Sequence, residues 1–210
     1  MSTELLTQVS PSLRPEVITS IKGYEAHKIF TGTVDEVFAF TYEAVKTLAN
    51  TVEELRHDEL KTTKAKTQAL AKNSDAYLKQ IMDKFSFHAK LLDESVNLIH
   101  EQLAAPLEKE AEGGLSTEIR SHIKTLQPED RRAMMNEATQ SGDAATCAAV
   151  LCAPPYLSGI SEVEHKNYLS QYHKAGNPEI VERLEVLAKV KEVIERTRPC
   201  LLYTSDAADE

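Results

Sequence analysis

The stretch from Thr33 to Ala105 constrains this chain more than any other, because its 73 residues include no glycine and no proline. These two residues most often interrupt a helix. Apolar residues recur at spacings of three and four from Phe38 to Leu55, and again from Leu78 to Leu103, which is typical of amphipathic helices. One helix of this length would extend roughly 110 Å, at about 1.5 Å per residue. The segment therefore either folds back on itself or stands out as a stalk.

The two ends of this segment carry helix-boundary signals. Thr33 and Glu36 have the spacing of a capping box, in which the hydroxyl and the carboxylate each accept a hydrogen bond from the other residue's main-chain N–H. Gly32 precedes the segment and Pro106 follows it. The pattern predicts that the helix begins after Thr33 and ends before Pro106.

The apolar pattern nearly disappears between Arg56 and Thr67, where the chain could reverse, and Asn73-Ser74-Asp75 is a second candidate turn. We favour an antiparallel hairpin over a straight stalk, because a hairpin buries both stripes within one chain and a stalk needs a partner chain. The first stripe would then face the second, and we expect Phe85 and Leu48 to contact another helix. The facing residues would be Val45, Leu48, Val52 and Leu55 on one side, and Leu78, Ile81, Phe85 and Leu92 on the other.

Four regions follow from these boundaries. Residues 1–32 form an N-terminal segment with one short helix after Pro15, and residues 33–112 form the helical or coiled-coil arm. Residues 115–199 form a C-terminal helical region after the Gly113-Gly114 pair, and residues 200–210 form a tail. The sequence predicts an all-α fold, with a long arm or hairpin followed by a cluster of short helices.

The short helices of the C-terminal region are marked by local start and stop signals. Stops are expected at Gly142, at Pro154-Pro155 and near Gly176. Starts are expected where a capping residue or a first-turn proline precedes apolar positions. The predicted starts are Ser116, Pro128, Asp143, Ser161 and Asn177-Pro178.

Charge and composition narrow the classes of function. The formal net charge of −9 disfavours general binding to nucleic acid or to anionic membranes, and no apolar run approaches the 18 residues of a membrane span. The N-terminus lacks the basic start and apolar core of a secretory signal, and the three cysteines lack metal-ligand spacing. We therefore expect a cytoplasmic protein that associates with a protein partner or with a second copy.

A search for chemistry predicts no catalytic residue, no cofactor site and no metal site. Nucleotide-binding, zinc-protease, Cys-x-x-Cys and serine-hydrolase motifs do not occur. His57 with Asp58, and His88 with Asp93, are the pairs that could transfer a proton or bind a metal, but histidines on the exposed sides of long helices are far more common. Cys147 and Cys152 are expected to be small buried residues. The sequence therefore predicts a non-enzymatic protein.

Lysines concentrate between Lys61 and Lys72, where the apolar stripe weakens. Together they predict an alternative function, in which this face contacts the phosphates of a nucleic acid. The acidic total and the lack of interleaved aromatic residues favour a solvated helix face instead. The four residues concerned are Lys61, Lys64, Lys66 and Lys72.

Two stretches resemble known sequences. Ser141–Gly159 combines a Gly-Asp start, a small-residue helix, an Ala-Pro stop and a Leu-Ser-Gly turn, and resembles uncharacterised proteins of phage and prophage gene clusters. Cys200–Glu210 resembles the conceptual translation of a sequencing-library adapter, which implies a natural sequence that departs from this one near Pro199. The leading hypothesis is a structural or assembly protein of phage origin that acts through helix–helix association.

Overall fold

The computed structural model describes residues 9–206, apart from the side chains of 200 and 202–206, and this part of the chain is helical without a strand. The all-α prediction is confirmed. A short 3-10 turn, Pro11–Leu13, precedes the first α-helix, and another, Pro155–Leu157, follows the seventh. The α-helices are α1 Glu16–Thr19, α2 Tyr24–Thr31, α3 Val34–His57, α4 Thr63–Ala111, α5 Ser116–Thr125, α6 Pro128–Ser141, α7 Ala144–Leu151, α8 Glu162–Gly176 and α9 Pro178–Asp206.

The chain packs as two units. The first contains residues 1–95 and 185–210, and the second contains residues 96–184. The borders between the units therefore lie inside α4 and inside α9. The regions proposed from the sequence divide the chain by element instead, and their boundaries stay a prediction.

The first two long helices form the antiparallel hairpin that the sequence favoured. The α3 helix ends at His57 and α4 begins at Thr63, so the chain reverses within the predicted window. Phe38 of α3 stacks edge-on against Phe85 of α4, with ring centroids 5.3 Å apart. Asn73-Ser74-Asp75, the second candidate turn, lies inside α4.

The register of the hairpin differs from the predicted pairing. Six residues before Phe38, Gly32 lies against Leu91, six residues after Phe85. Equal steps in opposite directions place Val45 level with Leu78, so one member of each predicted set does lie level with the other. They also place Phe85 opposite Phe38, and Leu48, Val52 and Leu55 level with residues 75, 71 and 68 instead of with the predicted facing set, because the chain reverses between His57 and Thr63.

The predicted start of the long helical segment after Thr33 is confirmed, since α3 begins at Val34, but the predicted capping box and the predicted end before Pro106 are wrong. Gly32 and Thr33 are both left-handed, with φ of 67° and 59°, and the Thr33 side chain makes no capping bond. A capping box needs an extended backbone conformation at the cap residue. The left-handed conformation of Thr33 between α2 and α3 therefore excludes a capping box. At the other end α4 continues through Pro106 to Ala111, with Leu103 and Leu107 buried on either side of the proline.

The core of the first unit forms where N-terminal elements cover the base of the hairpin. The first 3-10 turn and α1 pack on α3, and Ile18, Tyr24, Val34 and Phe38 are fully buried. The Tyr24 hydroxyl donates to Asp35 Oδ1 at 2.8 Å. The single N-terminal helix expected after Pro15 is instead two helices, because Gly23 turns the chain with a φ of 87°.

In the second unit, α7 is the central element and packs against α5, α6 and α8. Its small side chains allow this close approach, and Cys147, Ala148 and Val150 are fully buried. Most predicted starts are confirmed: α6 begins at Pro128, Asp143 accepts from the Thr146 N–H, and Ser161 forms a full capping box with Glu164. Ser116 is instead the first helical residue, and its hydroxyl donates to the Ala111 carbonyl.

The α9 helix begins at Pro178 as predicted and then runs through Pro199 to Asp206. The helix continues through Pro199 although proline lacks the N–H that an interior helix position requires. Leu201 is buried, with 6% of its surface exposed, which places one side chain of the segment 200–210 in contact with its surroundings. Residues 207–210 lie outside the described part of the chain.

Candidate association surface

The hairpin has a covered base and an uncovered end. We call residues 45–57 of α3 and 63–80 of α4 the distal arm. Phe38 and Phe85, at the base, are fully buried, whereas no residue of the distal arm is buried. The loss of burial coincides with the loss of neighbouring elements, and it already affects residues 45–55, where the apolar pattern is still complete.

The distal arm nevertheless keeps an apolar stripe on each helix. Two helices alone cover only part of each other's apolar side, because such a stripe is at least about 100° wide and one neighbour contacts only its centre. The stripe residues are accordingly half-buried. They are Val45, Leu48, Val52 and Leu55 on α3, and Leu70, Tyr77 and Leu78 on α4. Leu48, expected in a helix contact, is one of these half-buried residues.

Along the base of the hairpin, α9 supplies the cover on α4. Lys191 of α9 pairs with Asp93 at 2.5 Å, and Arg198 donates to the Ser86 hydroxyl at 3.3 Å. Seven residues forward on α9 thus correspond to seven residues back on α4, so the two helices are antiparallel. We call the side of α4 that carries Ser86 and Asp93 the α9-facing edge.

The same register shows how far the described part of α9 reaches along α4. Asp206, the last residue of α9, lies eight residues beyond Arg198, and Leu78 lies eight residues before Ser86. The end of α9 is therefore level with Leu78. Towards the turn from this point, no described element continues α9 along the hairpin.

The four lysines of the predicted basic face do not share one side of α4. Lys61 pairs with Asp58 at 3.0 Å, and its hydrogen bond holds the pKa of that carboxyl below its ordinary value. Lys66 follows Lys64 by about 200° around the helix and is half-buried, whereas Lys64 and Lys72 are exposed. The sequence cluster is therefore split between two sides of the arm.

The two histidine pairs considered from the sequence are not brought together as acid–base pairs. His57 lies 3.3 Å from Glu53, while Asp58 pairs with Lys61. Asp93 pairs with Lys191, and His88 Nδ1 is buried without a hydrogen-bond partner. Across residues 9–206, no group of three or more histidine, cysteine or acidic side chains is placed to hold a metal ion.

The second unit contains an open pocket of about 600 Å³. Its walls come from the end of α4, from α8 and from the first turns of α9, and they are mainly apolar. Polar side chains at its border include Glu108, Cys152, Lys166 and His173. The pocket can accept an apolar group. Glu108 and Lys166 carry charges of opposite sign, so its border has no net charge from these two residues.

The pKa values in this pocket argue against a nucleophilic thiol. Although Cys152 is exposed, the protein atoms around its thiol displace part of the water, and this desolvation, followed by the negative charge of Glu108, raises the pKa of Cys152, so its reactive thiolate is disfavoured. Burial and the neighbouring His100 lower the pKa of His173. Cys152 is also exposed, so its predicted burial is wrong, whereas Cys147 is buried as expected. The Pro154-Pro155 pair after α7 was the signal that this residue lies at a helix end.

Neither protein-family models, nor curated proteins, nor solved structures give a significant match to this chain. Within residues 9–206, no helix combines the length and the apolar character that crossing a membrane requires. The chain is thus defined as an all-α protein with a helical hairpin and a cluster of short helices.

Proposed function

We propose that this protein is a non-enzymatic structural or assembly component that acts through helix–helix association at the distal arm. The observation that carries the proposal is the abrupt loss of burial along an apolar stripe that extends beyond the base of the hairpin. Beyond Ala44 on α3 and before Ile81 on α4, the stripe persists but its residues are only half-buried. A helix laid along this groove removes more apolar surface from water, at about 25 cal/mol for each Å².

The amphipathic-helix mode of recognition fits this groove. In that mode, a partner helix presents apolar residues at positions i, i+3, i+4 and i+7 to a hydrophobic groove. The arm offers an aliphatic row on α3 at spacings of three and four, beside a sparser apolar row on α4 that consists of Leu70, Tyr77 and Leu78. The resemblance of Ser141–Gly159 to phage and prophage proteins supports a role in a phage-derived assembly, and genes for capsid or tail components beside this gene would support that origin.

Binding of a model helix tests the proposal. The probe is a synthetic helical peptide of about 18 residues, which matches the α4 side of the arm, with a leucine stripe and uncharged glutamine flanks. We expect it to bind the full chain, and the variant Val52→Gln/Leu70→Gln to lose that binding. The matched control is Leu98→Gln/Leu115→Gln, which changes two exposed leucines outside the arm.

Fluorescence anisotropy measures the affinity, and circular dichroism verifies that each variant keeps its helix content. Equal loss of binding in both double variants would contradict association at the arm. Failure of the wild-type chain to bind the uncharged peptide would contradict the proposed function itself.

A further inference from the structure

The α9-facing edge of α4 changes its charge along the hairpin. At the base this edge carries Asp93, which meets a lysine of α9. At about 100° per residue, Lys64, Lys72 and Lys79 lie within about 80° of Ser86 and Asp93 around the helix. By the same measure, Asp83, Lys90 and Asp93 lie on this edge where α9 accompanies it, and Asp75 lies among the three lysines beyond it. The formal charge of the edge therefore changes from −1 beside α9 to +2 beyond the end of α9.

These three lysines are exposed, and none forms an ion pair with another residue in the described part of the chain. One acidic residue, Asp75, lies among them, and the α4 side of the distal arm contains four lysines in all. In a chain with a formal net charge of −9, this is a local reversal of sign. Lys64 lies about 40° around the helix from Leu78 of the half-buried stripe, and Lys79 and Lys72 lie about 100° and 120° from it.

We propose that the distal arm receives an amphipathic helix of a protein partner, and that this helix carries aspartate or glutamate on the flank facing Lys64, Lys72 and Lys79. The helix lies in line with α9 and completes, beyond Leu78, the third position that α9 fills at the base. This inference rests on the proposed function and specifies the partner for it. The apolar stripe supplies affinity, and the lysine edge selects among helices.

The choice of an acidic partner follows from the way α9 itself is held. There, a cation of α9 meets a carboxylate of α4, so the two edges have opposite charges. Complementary charges set specificity and orientation more than total affinity. A basic third helix would place like charges together along the whole length of the distal edge.

A matched set of peptides tests this inference on the full chain. Three peptides share one leucine stripe and carry glutamate, glutamine or lysine on the flanks. We expect the glutamate peptide to bind about tenfold more tightly than the glutamine peptide, as expected for a few exposed ion pairs, and the lysine peptide to bind more weakly than both. The variant Lys64→Glu/Lys72→Glu/Lys79→Glu should reverse this order.

The control variant is Lys109→Glu/Lys124→Glu/Lys174→Glu, which makes the same change in net charge at exposed positions of the second unit. It should keep the wild-type order of affinities. A control that reverses the order would overturn the inference, because net charge alone would then explain the preference.

The remaining outcomes separate the inference from the proposed function. Equal affinity for the glutamate and lysine peptides would overturn the acidic partner but leave helix association intact. Failure to bind any of the three would overturn both. Light scattering could show that the wild-type chain self-associates and that Lys64→Glu/Lys72→Glu/Lys79→Glu does not; the occupant would then be a second copy of the chain. Salt-dependent binding of duplex DNA that displaces the glutamate peptide would instead favour a nucleic acid. Either result would overturn the inference.

Discussion

Arg131 joins two loops of the second unit through its guanidinium group. Its nitrogens donate to the carbonyl oxygens of Ile123, Lys124 and Leu126, at 3.1, 3.2 and 2.9 Å, and also to that of Gly159. The first three carbonyls lie at the end of α5, where the helix leaves acceptors without an internal partner. A single side chain therefore terminates α5 and holds the turn before α8.

We expect Arg131→Lys to lower the free energy of unfolding by about 2 kcal/mol, since one ammonium cannot reach all these carbonyls and hydrogen bonds to charged groups are worth about 1.5–3 kcal/mol each. Urea denaturation measures this loss. The control is Arg132→Lys, at an exposed ion pair with Glu164, where we expect about 0–1 kcal/mol. Equal effects of the two changes would contradict the role of Arg131.

His88 makes stability depend on pH. Burial, followed by the charge of Lys84, lowers the pKa of His88 in the folded chain, while in the unfolded chain it is about 6.5. The unfolded state thus takes up this proton first as the pH falls. The contribution of neutral His88 to the free energy of unfolding is therefore fully present above about pH 6.5 and is lost progressively as the pH falls below that value.

We expect His88→Gln to reduce the loss of stability between pH 7 and pH 5, as measured by the urea midpoint at each pH. Some loss remains, because the pKa of His173 is lowered in the same direction. His57→Gln, at a side chain 77% exposed, is the control. An unchanged slope in the His88 variant would show that His88 does not cause the dependence.

At the scale of whole elements, Pro106 lies within a helix where proline normally ends one. The residue is exposed, and the buried Leu103 and Leu107 keep their places on either side of it. The helix therefore continues because of the packing of its neighbours, at the expense of one main-chain hydrogen bond.

Replacing this proline should stabilise the chain. We expect Pro106→Ala to raise the free energy of unfolding by about 1–3 kcal/mol, because proline is about 3 kcal/mol less favourable than alanine inside a helix. No buried contact is lost, since the ring is exposed. Differential scanning calorimetry measures the change, and a lower thermal midpoint would mean that α4 needs the proline.

Helix starts were predictable from the sequence where a cap acts locally. Asp143 and Ser161 each bond to a main-chain N–H three residues away, so the signal and its effect share one turn of helix. The continuation of α4 through Pro106 and of α9 through Pro199 was not predictable, because packing against distant segments decided it. The hairpin itself followed from helix length and from the weak stripe after Arg56.

At the scale of the whole molecule, only part of the candidate surface could be predicted from the sequence. The lysine concentration was evident, and helix geometry alone separates Lys66 from Lys64, but Lys79 joins the set only when the edge is defined by contacts with α9. Those contacts join residues more than 90 positions apart in the chain. No local sequence pattern indicates how far α9 extends along the hairpin. That extent determines which part of the apolar stripe the described part of α9 leaves uncovered.

The central claim is that the apolar stripe is covered at the base of the hairpin and uncovered in the distal arm. Amide hydrogen exchange of the isolated chain, resolved by peptide mass spectrometry, tests this most directly. Helical amides open locally with free energies that follow the contacts around them. Residues 45–57 and 63–80 should therefore exchange at least about tenfold faster than residues 34–44 and 81–93, a difference of about 1.4 kcal/mol in opening. Equal protection along the whole hairpin would contradict the account, because the distal stripe would then already be covered.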